Sequence, residues 1–517
     1  MPVLPFAEWV PDQPAGTGST ATRNVIARTK GSYGPMPSPM VSTEPLPERA
    51  FGSLTLMDPS RQVWMFVATQ TKLMRFFRDT AGDWVDVSKA GGYDTLSYDD
   101  GGAWSAAAFG DVVIFTNYID PPQFFNIRTG GTGLFADLSA DAPKAKYVAV
   151  IKDFVFLGST NDPVDGERPR RLWWSSIGDP HDWPTPGSDL AIMRQSDFQD
   201  LESSEMGHLR GIVGGNLSGA DGGAIFERGC IRIAYVGSPA IWSFAVSEGV
   251  AGCVAPWSIV SRRMPSPSGM RSVAYWYSDD GFLAWDGAAA QSIGAQRIDR
   301  FVYEDMLPPR RQQIAGVSVP YANLVLWAYH GAGTSSSLYN RLLVYNWALD
   351  RWTLCELEPF EWLQANISSS LSIDDLDPYG PLDDFVTSLD SMSWVTSKPD
   401  VGVFDAEHRF AQFTGPPLGP TVETAEGGLP GRRTKLHGTA RPLIEGNGAP
   451  ATIAAGYREQ QWQAVTYGVN VPVSILGNCG LRSTGRYVRL RLQLPAGTAF
   501  SHLSGIEVSP QPEGRLR

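Results

Sequence analysis

A pattern of aromatic strands and polar turns recurs along this 517-residue chain and constrains its fold more than any other feature. In each copy an aliphatic or aromatic strand is followed by a polar turn and then by a large apolar residue. Such copies, at intervals of about 50 to 60 residues, are typical of β-propeller blades. The seven copies are Leu73–Phe77 with Trp84, Gln123–Asn126 with Phe135, Leu172–Ser175 with Trp183, Ile233–Tyr235 with Trp242, Leu283–Asp286 with Ile293, Leu343–Asn346 with Trp352, and Val403–Asp405 with Phe410. The sequence therefore predicts an all-β protein with a β-propeller of six or seven blades.

The composition agrees with a packed all-β protein. Hydrophobic residues make up 43% of the chain and charged residues 19%, which is far from the composition of disordered proteins. The chain has 17 Trp, 54 Gly and 39 Pro. Aromatic residues favour strands, and Gly and Pro favour turns. A pair of large β-sandwiches is the alternative fold, because aromatic strands at irregular spacing are also compatible with it.

Changes in composition divide the chain into four parts. Residues 1–50 are rich in Pro, Gly, Ser and Thr and predict an N-terminal arm, which Phe6 and Trp9 would dock on another surface. The β-propeller is expected over 51–415. Residues 416–435 are again rich in Pro and Gly and predict a linker.

The last part, 436–517, is predicted to be a separate β-sandwich-like domain. Its residues alternate between apolar and polar, most clearly in the strand Tyr487–Leu492. This alternation places Val488 and Leu490 on a dry face and directs Arg489 and Arg491 outward into water.

Charge and targeting signals point to a soluble protein made in a cytoplasm. No apolar run is long enough to span a membrane, and the N-terminus lacks the basic and apolar regions of a signal peptide. The net charge of −12 argues against binding of nucleic acid through the overall field of the protein. The four cysteines are widely separated, form no CxxC pair, and are expected to be reduced core residues.

The sequence shows no motif that would make the protein an enzyme. The six histidines, His181, His208, His330, His408, His437 and His502, form no zinc motif such as HExxH. Dinucleotide-binding, phosphate-binding and nucleophile-elbow motifs are also missing from the sequence. No catalytic, metal-ligating or cofactor-binding residue and no cofactor is therefore assigned. The paired carboxylates of a glycosidase stay open as an alternative, because they would come from different blades and leave no linear signature.

The segment Ser97–Trp104 matches the Asp-box form S-x-D-x-G-x-x-W. Asp99 is expected to cap backbone N–H groups, Gly101 to adopt positive φ, and Trp104 to pack beneath the turn. This motif occurs in sialidases and other propellers, and it supports the fold more than an activity. A sialidase would also need an arginine triad, which is not recognisable here.

Two further charged features have a plain structural interpretation. Asp375–Gly380 resembles a calcium loop, but Tyr379 occupies a ligand position and no Glu follows at the required spacing. A solvated acidic loop over Asp374–Asp384 is therefore preferred. The basic clusters are expected to be solvated faces or subunit contacts; they are Arg168–Arg171, Arg310-Arg311 and Arg432–Lys435.

The order of short motifs between residues 249 and 294 resembles the tail-hub, or nozzle, proteins of short-tailed bacteriophages, a group that includes packaged-DNA stabilisation proteins and tail tubular protein B. Weaker similarity continues in Gly31–Pro35, and the closing run from Gly485 to Val508 resembles the C-terminal module of the same proteins. The matching residues of the central motifs are Gly249, Gly252, Cys253, Ala255, Pro256, Ser258, Asp280, Gly281, Phe282, Asp286, Gly287, Ile293 and Gly294.

This resemblance implies a structural virion protein, located in the phage tail and synthesised in the bacterial host cytoplasm. It implies a ring of six subunits that retains packaged double-stranded DNA and forms its exit channel without reading its sequence. The implied partners are a tail adaptor or connector protein and tail fibre or spike proteins. A carbohydrate-binding or glycan-cleaving propeller that recognises a receptor is the alternative function, and a protein-interaction propeller inside a cell is a third.

Overall fold

The structure is a computed structural model that describes residues 3–14, 16–60, 62–77, 83–129, 133–162, 164–201, 204–266, 269–319, 322–334, 337–367, 399–428, 432–446, 450–508 and 510–515. It is all-β and has a β-propeller arrangement with five separate, four-stranded antiparallel sheets. These are blade 1 (Gly52–Met57, Val63–Ala68, Leu73–Phe76, Trp84–Asp86), blade 2 (Ser105–Phe109, Val112–Thr116, Gln123–Asn126, Ala136–Asp137), blade 3 (Lys144–Ile151, Phe154–Asp162, Gly166–Trp174, Asp197–Asp200), blade 4 (Leu209–Leu217, Ala220–Phe226, Gly229–Gly237, Ile241–Val246) and blade 5 (Val260–Ser266, Gly269–Ser278, Gly281–Trp285, Ala290–Ser292).

The five blades are packed side by side around a common axis. The first strand of blade 1 packs on the first strand of blade 2, and blades 2, 3 and 4 continue in the same way. The first strand of blade 4 then packs on the first two strands of blade 5. Each sheet buries its faces against its neighbours, which a lone four-stranded sheet could not do.

The two last copies of the sequence pattern lie in a thirteen-stranded sheet and not in separate blades, so the number of separate blades differs from the predicted six or seven. The strand Arg351–Ile367 causes this fusion, because one part pairs with Tyr339–Asn346 and the next part with Pro399–Asp405. Further antiparallel pairs complete both ends of this region; they join Ala315–Val319 to Leu324–Tyr329, Leu324–Tyr329 to Tyr339–Asn346, Pro399–Asp405 to Arg409–Gln412, and Arg409–Gln412 to Met40–Pro45.

The strand Arg351–Ile367 also contacts blade 1. The indole Nε1–H of Trp362 donates to Ser53 Oγ at 3.2 Å, and the Gln364 amide donates to Thr55 Oγ1 at 3.0 Å. The thirteen-stranded sheet therefore lies between blade 5 and blade 1, with Val260–Ser266 of blade 5 on its other side.

Strands from both ends of the chain form the rest of the structure. The thirteen-stranded sheet continues through Thr22–Arg23, Thr421–Glu423, Tyr487–Gln493, Thr452–Arg458, Thr466–Tyr467 and Val471–Pro472. A seven-stranded sheet contains Val3–Pro5, Val25–Thr29, Ser32–Pro35, Arg432–Glu445, Cys479–Gly485, His502–Glu507 and Pro510–Arg515. One hydrophobic cluster joins them, with Val25 and Tyr33 packed among residues such as Leu490 and Leu503.

This pairing differs from the predicted arm and linker. The segment 1–50 contributes strands to both of these sheets. Its strand Met40–Pro45 pairs with Arg409–Gln412 of the thirteen-stranded sheet. Thr421–Glu423, inside the predicted linker, pairs with Thr22–Arg23 on one side and Tyr487–Gln493 on the other. Strand partners about 400 residues apart leave no local periodicity in the sequence. Pro and Gly content alone therefore predicted an arm and a linker at these positions.

The outward orientation predicted for Arg489 and Arg491 is wrong for Arg489 and only partly right for Arg491. The Arg489 side chain is 8% exposed and the Arg491 side chain 29% exposed. Both bind the carboxylate of Glu423, whose side chain is fully buried. The alternation correctly separated the two faces of the strand, but it could not reveal that the polar face is covered.

Helices are few and short. In the part of the chain that the structure describes, the α-helices are Asp189–Arg194 and Asp299–Asp305, and the 3-10 helices are Ile127–Thr129, Ser204–Met206, Pro256–Ser258 and Pro308–Gln313. Within the described ranges, no helix has the length and apolar character needed to cross a membrane.

Candidate functional site at the propeller axis

A short 3-10 turn between blades 4 and 5, Pro256–Ser258, carries a partly exposed tryptophan, Trp257. Ser258 fixes the turn with its hydroxyl, which donates to the Ala255 carbonyl at 2.6 Å and accepts from the Tyr277 N–H at 3.0 Å. The Ser258 carbonyl accepts the indole N–H of Trp327 at 3.0 Å. The position of Trp257 is therefore set by hydrogen bonds to two neighbouring sheets.

The residues before the turn are part of the sequence motif, and their role is structural. A Cβ at Gly252 would lie 2.2 Å from the backbone carbonyl carbon of Glu227, so no larger residue fits without moving the chain. The buried thiol of Cys253 donates to the Ala255 carbonyl at 3.1 Å, and burial raises its pKa to about 12. A thiol with such a pKa is not a nucleophile at neutral pH.

Trp257 lies at the centre of the propeller. Its ring centroid is 6.3 Å from that of Tyr147 in blade 3 and 6.3 Å from that of Trp362 in the strand Arg351–Ile367. Its indole also packs against three hydrophobic clusters that blades on different sides of the ring contribute. The indole therefore lies near the propeller axis, where residues of several blades meet.

The wall beside Trp257 is formed by two segments that are far apart in sequence. Tyr98–Gly102 is the turn that precedes blade 2, and Pro308–Gln313 is the 3-10 segment that precedes the thirteen-stranded sheet. Arg310 connects them, because its guanidinium binds Asp99 Oδ1 at 2.5 Å. The Gln313 amide adds a hydrogen bond to the Tyr98 carbonyl at 3.0 Å.

Together these residues enclose a cavity of about 460 Å³, here called the axial cavity. Lys146 comes from the first strand of blade 3, and Arg210 from the first strand of blade 4. Burial lowers the pKa of Lys146, and the neighbouring charge of Arg210 lowers it further. The axial cavity is lined by Tyr98, Asp99, Asp100, Gly101, Gly102, Lys146, Arg210, Val254, Pro256, Trp257, Pro308, Pro309, Arg311, Gln312 and Gln313.

Trp257, Lys146 and Arg210 were not predicted as site residues from the sequence. Trp257 lies between the motif residues Pro256 and Ser258, and this position was the signal in the sequence that could have identified it. Lys146 and Arg210 lie on inner strands of different blades, and only the ring brings them together. No linear pattern marks such a pair.

The second half of the motif surrounds a buried carboxylate, that of Asp299. The Phe282 N–H donates to Asp299 Oδ1 at 3.2 Å. A Cβ at Gly281 or Gly294 would lie 2.1 or 1.9 Å from an oxygen of this carboxylate. Burial raises the pKa of Asp299 to about 6. Both positions must be glycine because the Asp299 carboxylate lies where a Cβ would be. Asp299 was not predicted as a functional residue from the sequence.

The remaining motif residues also have structural contacts. Asp286 Oδ1 accepts the N–H groups of Ala288 and Ala289, which closes the turn after the third strand of blade 5. The Ile293 carbonyl accepts the indole N–H of Trp352 at 2.9 Å. Gly287 has φ of +101°, and a Cβ there would lie 2.7 Å from Leu217 of blade 4.

The histidines and cysteines form no metal site among the residues that the structure describes. No group of three or more His, Cys, Asp or Glu side chains in those ranges is arranged to hold an ion. His330 is buried, and this burial lowers its pKa to about 4. All four cysteines are buried free thiols, as expected.

The Asp-box turn differs from the prediction in one residue. Gly101 has φ of +80° and Trp104 is 2% exposed, as the motif requires. Asp99, however, does not cap the turn but binds Arg310, while Ser97 Oγ accepts the N–H of Asp100 at 3.2 Å. The reason is that an arginine from another part of the chain competes for the Asp99 carboxylate.

The basic clusters are exposed at Arg168 and Arg433, as predicted, but Arg171 is buried. The Arg171 side chain is 3% exposed and binds Asp162, Asp165 and Asp200 within blade 3. Arg310 binds Asp99, and Arg433 binds Glu459. An arginine that is paired with a carboxylate attracts a polyanion only weakly, because the ion pair has no net charge. The proposed acidic loop Asp374–Asp384 lies outside the described residues.

Comparison with known proteins assigns no family. No protein-family model and no curated protein matches the chain. A chain of the crystal structure of a mitotic checkpoint complex is similar to it, with a TM-score of 0.37 and 8% sequence identity over 76% of this chain and 95% of that chain. Similarity at this level carries no argument about function.

Proposed function

We propose that the protein is a structural virion component, a ring-forming subunit of the distal tail tube of a short-tailed bacteriophage. In this role six subunits would retain packaged DNA and form its exit channel during ejection. The main support is the motif resemblance together with the contacts of the motif residues. Gly252 and Gly287 pack closely against the blade 4 region, and Gly281 and Gly294 pack closely against Asp299, as expected of a scaffold rather than a catalytic centre.

The finer features of the fold belong to the same proposal. The meander from Ala315 to Ile367 would be a sixth blade, and the sheet from Arg351–Ile367 to Met40–Pro45 a seventh that closes the ring. Contacts of Trp362 and Gln364 with blade 1 support this closure. The two-sheet arrangement around Leu490 and Leu503 supports a β-sandwich-like domain that the C-terminal segment builds with N-terminal strands.

The proposed partners follow from the tail location. They are a tail adaptor or connector, tail fibres or spikes, and duplex DNA that passes without sequence-specific binding. The net charge of −12 supports weak contact with DNA, because an acidic wall releases few counterions and lets the duplex slide. The proposed role needs no catalysis and no cofactor.

The oligomeric state tests this proposal directly. Mass photometry and negative-stain electron microscopy of the purified protein should show a closed ring with the mass of six subunits. A protein that stays monomeric at all concentrations and yields no rings with tail-tube extracts would contradict the proposal.

A carbohydrate-binding or glycan-cleaving propeller is the second candidate function. The axial cavity favours it, because it exposes an indole and cationic side chains at the propeller axis. An assay for sugar released from bacterial surface glycans separates the two candidates. Release of sugar would favour the second candidate, whereas ring formation without release would favour the first.

A further inference from the structure

We propose that the axial cavity binds a small organic anion, a ring-sized molecule with one carboxylate or phosphate group. Lys146 and Arg311 hold the anionic group, and Trp257 packs against the body of the ligand. This inference does not depend on the tail function, because it follows from the cavity alone. Its volume of about 460 Å³ is within the range of small-molecule sites.

The charges of the cavity wall leave two cations without an acidic partner. Arg210 binds Glu227 Oε1 at 2.8 Å, and Asp99 binds Arg310 at 2.5 Å. Asp100 accepts the hydroxyl of Ser97 at 2.6 Å within its own turn. Among the described residues, no carboxylate forms an ion pair with Lys146 or Arg311. The lining thus carries three cations, Lys146, Arg210 and Arg311, against the two carboxylates of Asp99 and Asp100, a net excess of one positive charge.

The surroundings of the two cations favour an anion over water alone. Lys146 is half-buried beside Arg210, so its ammonium group is partly desolvated next to a second positive charge. The guanidinium of Arg311 lies 3.5 Å from the ring centroid of Tyr303, which orients it, and its Nε is buried without a hydrogen-bond partner. A bound carboxylate or phosphate would offset the desolvation of the Lys146 ammonium group and the missing hydrogen bond of Arg311 through charge-assisted hydrogen bonds.

The apolar part of the lining indicates the kind of body that carries the anion. Trp257 contributes aromatic surface, and Pro256, Pro308 and Pro309 contribute rigid apolar surface. Such a surface packs against a ring and does not select a bare ion. The shared chemistry is thus one anionic group on a compact ring, for which a sugar acid and a sugar phosphate are two sources.

Isothermal titration calorimetry with the full chain tests this inference. The probes are glucuronate, glucose 6-phosphate, inorganic phosphate and neutral glucose, each at low ionic strength. At least one of the two ring anions should bind more tightly than both glucose and inorganic phosphate. The stronger of the two identifies whether the site recognises a carboxylate or a phosphate. Lys146→Gln and Arg311→Gln should each weaken that binding about tenfold or more.

Matched variants control for loss of charge elsewhere. Lys144→Gln lies on the same strand as Lys146 at an exposed position, and Arg300 is an exposed arginine whose side chain pairs with Glu304. Lys144→Gln and Arg300→Gln should leave the affinity unchanged, and thermal melting checks that all variants fold. Absence of binding by both ring anions at millimolar concentration would overturn the proposal. Equal binding of glucose, or affinity retained in both Lys146→Gln and Arg311→Gln, would also overturn it.

Discussion

The substitution Glu423→Gln should strongly destabilise the region where the two ends of the chain meet. Glu423 is fully buried, and its carboxylate accepts Arg491 Nε at 2.7 Å, Thr20 Oγ1 at 3.1 Å and the Tyr467 hydroxyl at 2.5 Å. Arg489 is 3.5 Å from the same carboxylate. Arg489, Arg491, Arg458, Glu423 and Glu426 form one network of ion pairs. The change removes one negative charge from this network, and Glu426 then remains as its buried carboxylate.

The expected magnitude follows from the burial of this network. Loss of one partner of a buried ion pair costs about 3 to 5 kcal/mol, because the remaining charge stays desolvated. Native-state hydrogen exchange of the strand Tyr487–Gln493 measures the effect, since its amides open with the local structure. The opening equilibrium should rise by about 10² to 10⁴.

Glu459→Gln provides the control for this prediction. Glu459 pairs with Arg433 on the surface, where the two side chains are 40% and 45% exposed. An exposed pair of this kind contributes about 1 kcal/mol or less. If Glu423→Gln changed exchange no more than Glu459→Gln does, the argument that the buried network holds the two ends of the chain together would be refuted.

Three further predictions concern the propeller and its motifs. Trp104→Ala should lower the free energy of unfolding by about 3 to 5 kcal/mol, because Trp104 is 2% exposed. Asp99→Ala should lower it by about 1 kcal/mol or less, because the Asp99 side chain is 67% exposed. Urea denaturation of the two variants measures both effects. Burial raises the pKa of Asp299 to about 6, so its stabilising contribution is complete below the unfolded pKa of about 4 and is lost as pH rises towards 6. Urea denaturation of wild type and Asp299→Asn across this pH range should show the wild type losing stability relative to the variant, and a constant difference would contradict the assignment. A chain that ends at Gly415 should keep exchange protection in blades 1 to 5 and lose it over Val3–Pro5, because the partner strand His502–Glu507 is missing; loss throughout the blades would show that they depend on the C-terminal segment.

Local sequence patterns predicted the strands of the propeller well, because each blade is built from neighbours in the chain. The copies at Leu73–Phe77 and Leu172–Ser175 mark the third strands of blades 1 and 3. A hairpin needs only alternating residues and turn signals close in sequence. The number of separate blades could not be obtained in this way, because the strand Arg351–Ile367 joins two copies into one sheet.

Features that depend on distant partners could not be predicted from the sequence. The sheet partners His502–Glu507 of Val3–Pro5 and Thr421–Glu423 of Thr22–Arg23 lie about 400 or more residues further along the chain, so residues 1–50 were predicted as a docked arm and not as sheet strands. Asp99 was assigned to its own turn because Arg310, 211 residues away, could not be recognised as its partner. The axial cavity is the same kind of case, since Lys146, Arg210 and Trp257 meet only after the blades have closed around the axis.

The position of Trp257 restricts where a DNA channel can run in the proposed tail ring. The indole contacts Tyr147 on one side and Trp362 on the other, so it narrows the space near the axis where a propeller could otherwise leave an opening. A duplex cannot pass through a space that one side chain occupies. If the protein forms a tail ring, the channel must therefore lie between subunits, lined by outer blade edges or by the sheets that the chain ends build.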